Sequence, residues 1–162
     1  MDTSKLSTGD LIAGTSGVAL LVFMFLPWYG VDVNVAGVGS ASGDANAWQA
    51  LSFIDILLFL VALAAIAYAV TRATGSLPPD MPAAMAVAGA GGLAVLLILF
   101  RIIDLPTPDL PDILDDSVDF GRKIGIFLAL IAAAGIAYGG WRSAGEAPAT
   151  GPARPAPSPP AA

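Results

Sequence analysis

The chain has no cysteine and no histidine. The first absence excludes disulfides and thiolate metal sites. The second removes the side chain that most often serves as general base, proton shuttle or metal ligand near neutral pH. Charge is also scarce: Asp, Glu, Lys and Arg together make up 12% of the 162 residues, against about a quarter in a soluble domain. Only seven residues are basic, and they are scattered. The electropositive footprint that a phosphate backbone requires is therefore missing, and nucleic acid is not expected as a partner. No Gly-rich phosphate cradle, nucleophile elbow or zinc-ligand spacing occurs. An enzyme would be left with Asp, Arg or Ser chemistry at an interface, so the chain reads as non-catalytic, with no cofactor and no metal.

What remains is apolar. Hydrophobic residues make up 56% of the chain and gather into four runs: Leu11 to Tyr29, Ala50 to Val70, Ala83 to Ile103 and Ile124 to Trp141. Each is close to the roughly 20 residues an α-helix needs to cross about 30 Å of hydrocarbon. The fold class that follows is all-α: a four-helix transmembrane bundle over residues 1–141, with spans at about 11–29, 50–70, 83–103 and 121–141. A disordered Pro/Ala-rich tail follows at 142–162. The first run is longer than the 7–15 residues of a signal-peptide core, and Asp2 and Asp10 weaken a basic leader, so it reads as a span. Thr8 or Asp10 suits the N-cap of the first helix, and Pro27 marks its exit.

Trp28, Tyr29 and Trp48 would flank one membrane face, and Tyr68, Tyr138 and Trp141 the other, as expected of headgroup-level aromatics. Between the first two spans, Val31, Val33 and Val35 alternate with Asp32 and Asn34, a signal for one short strand outside the membrane. Between the last two, Asp112, Asp115, Asp116 and Asp119 share a helical face and suggest a short interfacial helix. That face reads as solvated rather than as a cation site, because it lacks a calcium-loop spacing. Basic residues set the orientation: with both termini inside, Lys5, Arg72, Arg142 and Arg154 are cytoplasmic, against Arg101, Arg122 and Lys123 outside. The expected localisation is the cell membrane, multi-pass, with cytoplasmic N- and C-termini.

The second and fourth spans match at an offset of 70 residues. Ile66-Ala67-Tyr68 aligns with Ile136-Ala137-Tyr138, Arg72 with Arg142, and Gly75 with Gly145. The first and third match more weakly, pairing Gly17, Ala19, Leu21 and Phe25 with Gly92, Ala94, Leu96 and Phe100. The pattern reads as a duplicated helical hairpin whose halves share orientation.

Two sets of residues stand out. Small residues recur along the fourth span at Gly121, Gly125, Ala129, Ala133 and Ala137, with Gly135 and Gly139 on an adjacent face. The third span has Ala84, Ala88 and Gly92. Small side chains let helix backbones approach, here within the bundle or in a homodimer. The second set is charged. Asp55, counted from Trp48, lies about 10 Å below headgroup level, where an isolated carboxylate costs about 2.5–3.5 kcal/mol. It needs a partner, for which Arg101 is the first candidate and Arg122 and Lys123 the others. Asp55 is either a proton or cation site or the half of an ion pair that fixes helix register. The second reading is favoured because a transport path would need further polar residues on the same face.

The segments Leu26-Pro27-Trp28-Tyr29-Gly30 and Asn46-Ala47-Trp48-Gln49-Ala50, followed by Phe53-Ile54-Asp55, resemble those of uncharacterised small four-span integral membrane proteins of high-GC bacteria. The resemblance covers the four spans and not the tail, and implies no activity, cofactor or catalytic residue. The expected function is that of an accessory or scaffold subunit in the cell envelope, embedded in the lipid bilayer beside a membrane-protein partner or a second copy. The alternative is a small ion or solute transport protein with its polar site at Asp55 and Arg101.

Overall fold

The structure, a computed structural model, describes residues 6–35, 39–48, 53–76, 81–104 and 118–146. Most of the chain is helical, as four helices: α1 (Thr8–Phe23), α2 (Phe53–Thr74), α3 (Met81–Ile103) and α4 (Ile124–Glu146). Three strands accompany them, β1 (Pro27–Val35), β2 (Gly39–Asn46) and β3 (Val118–Arg122). The all-α expectation is corrected by this sheet, an antiparallel array in the order β2-β1-β3.

Helices α2 and α4 and residues Pro82–Ile103 of α3 are long and apolar enough to cross a membrane. At 22 residues, α2 is about 33 Å long. The first helix is shorter than its apolar run: α1 has 16 residues, about 24 Å, less than a hydrocarbon core. It stops because Met24, Phe25 and Leu26 turn the backbone and Pro27, which has no N–H to give a helix, becomes the first residue of β1. The fourth helix is likewise displaced from 121–141, since Gly121 and Arg122 belong to β3.

The start of α1 and the end of α2 each have a sequence cause. Ser7 is the N-cap of α1, where Thr8 or Asp10 had been expected. Its hydroxyl accepts from the Asp10 N–H while the Asp10 carboxylate accepts from the Ser7 N–H, a complete capping box. Gly75, at φ 73°, lies beyond the end of α2. The Ser76 N–H returns to the Thr71 carbonyl and the Gly75 N–H to that of Arg72, the paired closure for which a left-handed residue is needed.

Buried positions recur every three or four residues, as in Gly9, Ala13, Gly17 and Leu20 of α1 and Asp55, Leu58, Ala62 and Ala65 of α2. The opposite faces carry Val18, Val22, Leu60, Leu63, Leu96 and Ile131, all exposed. Outer faces that carry large apolar side chains are suited to lipid as their solvent. The antiparallel helices pack unequally: α4 lies tightly against α1 on one side and α3 on the other, whereas α2 leans on α1 and touches α3 much less.

Glycine permits the two tight seams. A Cβ at Gly139 would reach the Ala13 backbone of α1, one at Gly140 the Ala88 backbone of α3, and one at Gly91 the Ala137 backbone of α4. Gly125 abuts the Pro27 carbonyl, and Gly135 abuts Ser16. By contrast, open space surrounds Gly92 and Gly121, so neither spaces two helices.

The sheet covers one end of the helices. β1 runs on from α1 and pairs along its length with β2, from Tyr29 opposite Ala45 to Val35 opposite Gly39. On its other edge Tyr29 faces Arg122 and Val33 faces Val118 of β3. The Lys123 N–H continues the tie to the Trp28 carbonyl at 2.8 Å. The valine alternation of β1 anticipated one of these strands. Asp119, assigned above to an acidic helix, sits in β3, while Asp112, Asp115 and Asp116 and the tail from 147 onward lie outside the described residues.

Candidate functional site

Polar side chains collect at the two ends of the helices. Among the described residues the buried polar or charged ones are Asp10, Asp55, Arg101 and Ser143. Asp10 and Ser143 lie where the start of α1 meets the end of α4, here called the terminal end. Asp55 and Arg101 lie at the other, the sheet end.

At the terminal end Asp10 occupies the first turn of α1, where the helix dipole favours a carboxylate. Arg72, in the last turn of α2, donates from Nε and sets its terminal nitrogen against the same oxygen, Asp10 Oδ2, both at 3.1 Å. Ser143 of α4 donates to the other oxygen, Oδ1, at 2.5 Å. Since the single hydroxyl proton of Ser143 is spent there, the 2.8 Å contact between Tyr68 and Ser143 has Tyr68 as donor. Three helices are thus joined by a directional chain from Tyr68 through Ser143 to Asp10. Glu146 extends it by accepting from the Gly9 N–H at 3.3 Å and from Arg142 at 2.9 Å.

At the sheet end Asp55 occupies the first turn of α2 and Arg101 the last turn of α3. Their side chains are 1% and 8% exposed, with Arg101 Nη2 at 3.8 Å from Asp55 Oδ2. That distance keeps the Coulombic attraction but exceeds hydrogen-bond length. The guanidinium also lies 5.9 Å from the centroid of the Tyr29 ring, within cation–π range. Asp55 lies at the mouth of its helix rather than well below it, because α2 begins at Phe53, five residues beyond Trp48. The other candidate cations are engaged elsewhere: Arg122 donates to the Ile102 carbonyl at 2.6 Å and Lys123 pairs with Asp44 at 3.3 Å.

The aromatic residues divide differently from a two-belt pattern. Trp28 is fully buried, donating to the Phe23 carbonyl at 2.8 Å, and Tyr29 and Tyr68 are buried. Tyr138 and Trp141 are exposed, with ring centroids 6.2 Å apart. Trp48 packs between Phe25 and Phe59. The pairs aligned by the 70-residue repeat also differ in setting: Arg72 is tied to Asp10 while Arg142 makes an exposed pair with Glu146 four residues on.

Asp10, Ser143 and Tyr68 were absent from the sequence-derived site. The legible signal was Ser7-Thr8-Gly9-Asp10, a capping-box spelling that fixes where the carboxylate sits, together with Arg72 closing the next helix. A groove of about 340 Å³ between α1 and α2, lined by Leu11, Gly14, Val18, Ile66 and Val70 with Asp10 at one end, is almost wholly apolar. No group of three or more potential metal ligands forms among the described residues. No protein-family model matches the chain, and no curated protein is significantly similar to it.

Proposed function

We propose that this chain is a non-catalytic integral membrane protein of the cell envelope, an accessory or scaffold subunit whose four-helix transmembrane bundle carries a small sheet on one membrane face. The observation that supports this reading is the confinement of buried polar groups, among the described residues, to the two ends. Between them lie Leu20, Val61, Ala62, Ala65, Ala129 and Ala133, all buried and apolar. A conduction path needs polar groups in series, and this layer interrupts any series between the ends.

In this reading α1 crosses as the fourth span, its apolar stretch lengthened by Met24, Phe25 and Leu26. Both termini are cytoplasmic, because Lys5 and Arg72 flank the first hairpin on one side and residues 30–47 carry no positive charge. The sheet then lies outside the cytoplasm with a partner, another membrane protein or a second copy. The hairpin duplication and kinship with small four-span proteins of high-GC bacteria belong to the same proposal and rest on the sequence matches.

Capture of the tagged protein from its native membrane in mild detergent tests the reading, with mass spectrometry of the co-purifying chains and the mass of the complex. A stoichiometric foreign subunit, or a defined oligomer with no flux in liposomes, supports it. The second reading, a small ion or solute transport protein with its site at Asp55 and Arg101, is favoured by the burial of that ion pair. It requires liposome flux that Asp55→Asn abolishes while the protein remains folded.

A further inference from the structure

The two ends differ in how completely their donors are met. At the terminal end Arg72 Nε, the Ser143 hydroxyl and the Tyr68 hydroxyl each find an acceptor. At the sheet end the Tyr29 hydroxyl, Arg101 Nε and the Trp48 indole nitrogen are buried without a hydrogen-bond partner among the described residues. Two of these belong to one place, since the Arg101 guanidinium lies over the Tyr29 ring. The third is close by: Trp48 stacks edge-on against Phe59, one turn from Asp55 on the same face of α2.

A buried donor left unmet costs about 1–3 kcal/mol, so two unmet donors on side chains in cation–π contact are not a resting arrangement for a packed protein. Because the groups are an O–H and N–H groups, they call for an acceptor and not for a cation. Charge narrows the class further. The Asp55 carboxylate already offsets Arg101, and an added anion would leave net negative charge in a low-dielectric site, which is strongly unfavourable. A neutral oxygen can accept from both groups with no change in charge.

We infer that Tyr29 and Arg101 form a binding site for an uncharged oxygen acceptor, held between β1 and the last turn of α3. This goes beyond the accessory-subunit reading and does not depend on it. The ester carbonyl of a phospholipid and a water molecule are two sources of the same chemistry. Both occur at the depth where membrane helices end.

The test uses the full chain in phosphatidylcholine nanodiscs and in lipid-depleted dodecyl maltoside, with thermal unfolding as readout. Tyr29→Phe keeps the ring against Arg101 and removes only the hydroxyl. If the site is occupied, the nanodisc Tm falls by about 2–4 °C, the equivalent of one lost hydrogen bond. The loss is also non-additive with that of Arg101→Gln, since both groups hold one oxygen. A Tyr29→Phe loss that persists in lipid-depleted detergent identifies water, and one confined to nanodiscs identifies the lipid carbonyl. A Tm unchanged or raised in both media, the result of deleting a donor that nothing accepts, overturns the proposal. Strict additivity with Arg101→Gln does the same. Arg101→Lys, which keeps the charge and removes Nε, gives an independent reading with the same expected sign.

Discussion

The terminal and sheet ends use the same parts to different degrees of completion. Each sets an aspartate in the first turn of one helix against an arginine in the last turn of its antiparallel neighbour: Asp10 with Arg72, and Asp55 with Arg101. At the terminal end the arginine contacts one carboxylate oxygen through two nitrogens at 3.1 Å, and Ser143 takes the other. At the sheet end the ions stand 3.8 Å apart, and Tyr29 supplies a ring face in place of a further acceptor. A buried ion pair does little for stability unless its remaining hydrogen-bonding capacity is met. The first arrangement is therefore a clasp for α1, α2 and α4. The second is a weaker tie across the loosest helical seam, with binding capacity in reserve.

The comparison can be broken most directly at the clasp. Asp10→Ala strands Arg72 in a buried site and is expected to cost about 3–5 kcal/mol, read from unfolding in a denaturing-detergent titration. The double variant Asp10→Asn with Arg72→Met recovers much of that loss, because no unpaired charge remains. Gly139→Val, which drives two methyl groups toward the Ala13 backbone, is expected to cost about 1–3 kcal/mol in the same titration. Asp55→Asn also leaves its arginine without a counter-ion, but it breaks no hydrogen bond between the two at 3.8 Å and is expected to cost less than Asp10→Ala, about 1–3 kcal/mol. Equal losses at Asp10 and Asp55 would erase the distinction between the ends. Gly92→Ala meets no neighbour and is expected to gain about 0.5 kcal/mol from helix propensity, visible as a small rise in Tm. Arg142→Ala deletes an exposed i, i+4 pair and is expected to leave the unfolding midpoint unmoved.

The sequence made one end easier to see than the other for a physical reason. Asp55 and Arg101 interrupt apolar runs, so their charge demands an explanation and each suggests the other. Asp10 and Arg72 lie just beyond such runs, where a charge ordinarily faces water, and only the folded chain brings Ser143 and Tyr68 to them. The strands divide in the same way. The alternating valines of β1 are a local signal. In β2 the run Gly39-Ser40-Ala41-Ser42-Gly43-Asp44 has poor β-propensity and becomes a strand through pairing with β1. Val118 to Arg122 pairs with a segment some 90 positions earlier in the chain, and no local pattern encodes that meeting. Pro27-Trp28-Tyr29 misleads in the opposite sense. An aromatic pair at the end of an apolar run suggests headgroup anchors, yet the early end of α1 makes both residues part of β1 and leaves their rings buried.

The central position of β1 also sets an order of events during synthesis. Its pairing with β2 can form as soon as Asn46 has emerged, because the two strands are neighbours in the chain. Its other edge stays bare until Val118–Arg122 arrives, after α2 and α3 have both been made. Closing that edge draws Lys123 to Trp28 and seats the start of α4 against Pro27. The last helix is thereby docked against the first by backbone hydrogen bonds outside the helices. A chain halted before residue 118 would retain an open strand beside three apolar helices, the form of edge by which unfinished proteins join one another.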